Sequence, residues 1–116
     1  MANAERFFSH FGSITQPPES VQFDVRLLGD ADYIHTFRTR VERAFMTTLI
    51  RETGREVNPH FAVFAFSNLL GTRLEFAKQR ELDQGNDPYA DPTVRLLEAV
   101  YEDFNQDPMS TWHLNN

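Results

Sequence analysis

Two dipeptides constrain this chain more than any other feature. Asn58-Pro59 and Asp91-Pro92 each set a capping side chain directly before a proline. A proline suits the first helical position, because its missing N–H would have no intrahelical partner there. The spacing predicts helices over His60–Gln84 and Pro92–Asn105. A third helix opens after Gly29-Asp30, capped by Asp30 or Asp32, and closes at Gly54. Within it Ile34, Phe37, Val41, Phe45 and Leu49 recur every three or four residues and share one side, while Thr36, Arg40, Arg43 and Thr47 fall on the other.

The pattern predicts a mainly α fold, a small helical bundle of three main helices forming one domain over residues 1–116. Residues 3–11 read as a short N-terminal helix capped by Asn3 and stopped by Gly12, with a proline-containing linker over 13–20. Residues 21–27 alternate apolar and polar, the signature of an extended β segment. No second strand is evident, so this segment reads as an isolated arm, a strand pairing with its own copy in a dimer, or a stretch of helix. The first half of the 60–84 helix is apolar nearly all round, which predicts a place at the centre of the fold. Gly71 within it predicts close helix packing, since glycine costs about 1 kcal/mol relative to alanine in a helix interior.

At 116 residues the chain is long enough to build a core without metal or disulfide staples, and it contains no cysteine. That composition excludes thiolate metal sites and a cysteine nucleophile. The densest apolar stretch, Phe61–Leu70, is too short to span a bilayer. The expectation is a soluble cytoplasmic protein that does not enter membranes.

Charge is unevenly placed. Residues 1–80 carry ten basic and nine acidic side chains, whereas residues 81–116 carry Arg95 against eight carboxylates, so the net charge of −6 lies in the last third. An acidic block repels nucleic acid and attracts a basic surface. Glu98, Glu102 and Asp103 form the expected exposed face of the last helix.

A search for chemistry yields little. The histidines His10, His35, His60 and His113 lack the helical spacing of metal ligands, and no phosphate loop or nucleophile elbow is present. No metal, cofactor or catalytic residue is therefore expected. Asp87 and Asp91 read as turn and cap residues. Arg38, Arg40, Arg43, Arg51 and Arg55, interspersed with Glu42, Glu52 and Glu56, read as a salt-bridged face. Arg55-Glu-Val-Asn-Pro-His60 resembles the loose motif of HEPN-type helical ribonucleases, an arginine and a histidine separated by four residues. The resemblance implies a pair at a helix start in a dimer cleft.

Eleven phenylalanines are more aromatic surface than three helices readily enclose. Phe7, Phe8 and Phe11, with Trp112 at the other end, either fold over the bundle as a lid or meet another protein. The leading expectation is a non-enzymatic interaction module: an adaptor, a small subunit or an inhibitor, DNA mimicry included. It docks a partner with a basic surface through Glu98, Glu102, Asp103 and those aromatics, and is a possible homodimer. The alternatives are a small ribonuclease or nucleic-acid binder using Arg55, His60 and the Arg40/Arg43 side, and an apolar-ligand domain lined by Phe61, Phe64 and Phe66.

Overall fold

Each of the three long helices begins at a residue whose side chain caps it. In the computed structural model, which describes residues 1–11, 21–54 and 57–111, these are α2 (Ala31–Thr53), α3 (Pro59–Asp83) and α4 (Pro92–Gln106), preceded by the short α1 (Glu5–Ser9). The Tyr33 amide donates to the Asp30 carboxylate at 3.0 Å, those of His60 and Phe61 to the Asn58 side chain at 2.9 and 3.3 Å, and that of Thr93 to Asp91 at 3.2 Å. Asp87 likewise accepts from the Tyr89 amide at 3.0 Å and opens a 3-10 turn over Pro88–Ala90. Gly54 ends α2 with a φ of 67°, a left-handed conformation that glycine adopts without steric cost.

The bundle is centred on α4, which packs against both α2 and α3. Its Val94, Leu96, Leu97, Val100 and Phe104 are buried between Ile34, Phe37, Val41 and Phe45 of α2 and Phe66, Leu70 and Leu74 of α3. Phe66 lies 5.2 Å from Phe45 and 5.4 Å from Phe104, ring centre to ring centre, so one aromatic from each long helix meets at the same point. Gly71 allows the close approach expected of it: a Cβ there would sit 3.3 Å from the Tyr101 hydroxyl on α4.

The N-terminal segment is part of this core. Phe7, Phe8 and Phe11 are at most 5% exposed, and the Phe7 ring meets Phe37 at 5.1 Å edge to face. Of the two roles open to these rings, the structure takes the lid, which removes all three from the surface available to a partner. Trp112 lies outside the described residues, as do Gly12, the 13–20 linker and Arg55.

The 21–27 segment is a strand for two residues only. Gln22–Phe23 (β2) pairs antiparallel with Ala2–Asn3 (β1), and the Ala4 amide extends the pairing to the Val21 carbonyl at 2.9 Å. The extended stretch ends because the Asp24 carboxylate accepts from the Arg26 amide at 3.0 Å, turning Val25–Leu27 into a 3-10 helix. The missing partner strand is thus the chain's own N-terminus, and no second copy is needed to pair this segment.

The placement of α3 differs most from expectation. Its buried residues form a narrow stripe, Ala62, Phe66, Leu70, Leu74, Ala77 and Glu81, flanked by half-buried Val63, Ala65 and Leu69, and the opposite side is exposed. The helix lies at the side of the bundle because α4 takes the centre.

Candidate interaction surfaces

Three of the eleven phenylalanines are outside the core, all on α3: Phe61, Phe64 and Phe76 are 59%, 66% and 62% exposed. They flank the side of the helix opposite the buried stripe. Asn68, Thr72, Glu75 and Gln79 fill the ground between them, and Leu82 continues the face at 55% exposure. At about 1.5 Å rise per residue, Phe64 and Phe76 stand roughly 18 Å apart along the axis. Beside Phe76, residues Gly71, Thr72, Glu75 and Gln79 surround an open depression of about 480 Å³. A free aromatic side chain of about 200 Å² leaves roughly 120 Å² bare at such exposures, so the three rings present on the order of 370 Å² of apolar surface. Polar residues separate them, so they are discrete apolar anchor points and not one continuous patch.

The three phenylalanines of the expected apolar-ligand pocket are not placed alike. Phe66 points into the core while Phe61 and Phe64 point away from it, so the three rings enclose no common cavity. Phe76 was not singled out by the sequence pattern, although its position two residues from Leu74 on a helix places it well off the buried stripe.

The acidic face of α4 is less free than its composition suggests. Asp103 accepts from His35 Nδ1 at 3.0 Å and from Arg38 Nη1 at 3.4 Å. Glu98 is half-buried and lies 3.8 Å from the Lys78 ammonium, which also approaches Glu75 at 4.0 Å. Lys78 is held above its ordinary pKa: desolvation pulls it down, but the Tyr89 hydroxyl together with Glu98 and Glu75 outweighs that. Glu102 is the exposed member of the expected trio. The carboxylates therefore have different roles, with Asp103 holding the fold, Glu98 partly neutralised and Glu102 facing solvent.

Arg38 is not part of a surface cluster. Its side chain is completely buried, and every N–H of the guanidinium faces an acceptor. Nε donates to Glu42, Nη1 to the Ser110 hydroxyl at 2.8 Å as well as Asp103, and Nη2 to the carbonyls of Asp107 and Pro108 at 3.1 and 3.3 Å. The Phe104 ring covers it, 5.1 Å from guanidinium carbon to centroid. This one side chain fastens the chain beyond α4 back onto α2. Burial pushes the Glu42 carboxyl above the usual carboxylate range, with Arg38 pulling the other way. Arg40 and Arg43 are exposed on α2, as their spacing predicts.

His60 is exposed in the first turn of α3, and the arginine of its motif lies outside the described residues. Among the described residues, no group of three histidine, aspartate or glutamate side chains is placed to hold a metal ion, and no helix is long and apolar enough to cross a membrane. The chain matches no family model, no curated protein and no solved structure.

Proposed function

We propose that the chain is a non-enzymatic protein-docking module whose docking surface is the outer side of α3. The exposure of Phe61, Phe64 and Phe76 carries this reading. The fold has enough buried aromatic surface without them, and bare rings at about 25 cal/mol per Å² are a standing cost in water that a partner removes. Because the aromatic ends are about 18 Å apart with a polar middle, the partner is elongated. An amphipathic helix lying along α3, with apolar anchors about three turns apart, fits that spacing. Glu75, 77% exposed at its side chain, borders the face, and Glu102 on α4 adds to the net negative charge; both favour a partner with basic flanks.

The test is capture and identification of the partner, followed by titration of the purified pair with Phe64→Ser, Phe76→Ser and Glu102→Lys variants. Each ring removed is expected to weaken binding about 30-fold, the effect of an interface hot spot of about 2 kcal/mol. Glu102→Lys should change mainly the association rate and its salt dependence. Unchanged affinity in both serine variants would move the docking surface elsewhere. A monomer–dimer equilibrium weakened by the same substitutions would make the partner a second copy of the chain.

A further inference from the structure

A different part of the surface points to a small-molecule site. Where α1 leans on α2, the rings of Phe8 and Phe37 and the side chain of Val41 form the floor of a cavity of about 240 Å³. All three are at most 5% exposed, so the floor is apolar. Ala44 forms part of the wall, and the exposed Arg40 and Arg43 line the same cavity.

The arginines make this more than a packing gap. They sit three residues apart on α2, the spacing that brings helical side chains together, and like charges there repel. None of the described residues lining the cavity is acidic. The nearest carboxylate in sequence, Glu42, is buried on the other side of the helix against Arg38. Two cations therefore stand together over an apolar floor, on a chain whose net charge is −6. An apolar cavity of about 150 Å³ already accepts benzene. Pockets for drug-sized ligands begin near 300 Å³. The cavity falls between these, so it suits a short apolar body.

We propose that this pocket binds a small single-chain amphiphilic anion, its hydrocarbon against Phe8, Phe37 and Val41 and its carboxylate between Arg40 and Arg43. Arginine pairs geometrically with a carboxylate through two parallel N–H donors, a contact that an uncharged alcohol does not offer. The site is independent of the docking face on α3.

Calorimetric titration of the full chain with octanoate below its micellar concentration tests this, with octanol as the uncharged control. Octanoate is expected to bind, octanol at least about tenfold more weakly, and the Arg40→Ala/Arg43→Ala double variant to lose at least about tenfold in octanoate affinity. Both arginines are exposed, so an unchanged urea transition will show that the variant is folded. Ala44→Leu, which narrows the wall, should weaken octanoate and octanol alike. Equal binding of alcohol and acid, or equal binding by the double variant, would overturn the role of the arginines. No binding of either, or binding only to anionic lipid vesicles, would overturn the site as one for a free amphiphile. The Phe64→Ser variant should bind octanoate normally, which separates failure here from failure of the α3 reading.

Discussion

Arg38 and Phe64 exchange the places their chemistry would ordinarily assign them. The arginine is wholly inside and the phenylalanine two-thirds outside. Inside, every donor of Arg38 has an acceptor and a ring covers its plane, so the desolvation cost of a buried charge is offset by hydrogen bonds and two carboxylates. Outside, the described residues leave two-thirds of Phe64 bare. The first inversion is closed by the fold and stabilises it. The second is left open, and an open apolar surface is where a partner gains the most on binding.

Substitutions can break this comparison at either end. Arg38→Ala should have the largest effect, a loss of about 3–5 kcal/mol in urea unfolding, because it leaves Glu42 buried without its counter-charge. Phe66→Ala, at the junction of the three long helices, should cost a similar amount, about 3–5 kcal/mol, through the cavity it leaves. Asp103→Asn removes one carboxylate from Arg38 and His35 but keeps the shape, and about 1–3 kcal/mol is expected. A lysine at the same position would set a second cation against the buried Arg38 and should unfold the chain, so charge reversal at Asp103 reports on stability rather than on docking.

The smallest effect concerns pH. His10 is held below its ordinary value by burial first and then by Arg6, Arg80 and Arg73, with Asp91 opposing. A depressed histidine binds its proton more readily when the chain is unfolded. Its contribution to stability is therefore complete above the unfolded value of about 6.5 and is lost as pH falls through the folded one. His10→Gln should flatten that part of the stability–pH curve. Glu42 runs the other way: with its pKa raised by burial, its contribution is complete below the unfolded value of about 4.5 and declines as pH rises through the folded one.

Much of the fold was legible because it is written in local signals. Asp30, Asn58 and Asp91 cap helices where their side chains and the following residues say they should. Gly71 packs against Tyr101 as a mid-helix glycine suggests. Arg38 was legible in position but hidden by its type. It falls four residues after Ile34 and three before Val41, on the buried stripe, yet a charged side chain is ordinarily assigned to solvent. The pairing of Ala2–Asn3 with Gln22–Phe23 carries no local signature, since two residues cannot show an alternation. The outer face of α3 was misplaced for a tertiary reason. A helix apolar all round does not reveal which side its neighbours cover, and here the neighbours cover the side through Phe66 and Leu70 and leave Phe61, Phe64 and Phe76 exposed. The pairing of Asp103 with Arg38 was equally hidden, because it joins residues 65 apart in the chain.

The most direct test is urea unfolding of the triple variant Phe61→Ser/Phe64→Ser/Phe76→Ser beside the parent chain. The account predicts free energies of unfolding within about 1 kcal/mol of each other, as for ordinary surface substitutions. A loss of about 3 kcal/mol or more for each ring, the cost of emptying a core position, would show that these phenylalanines hold the fold together and would contradict the docking face.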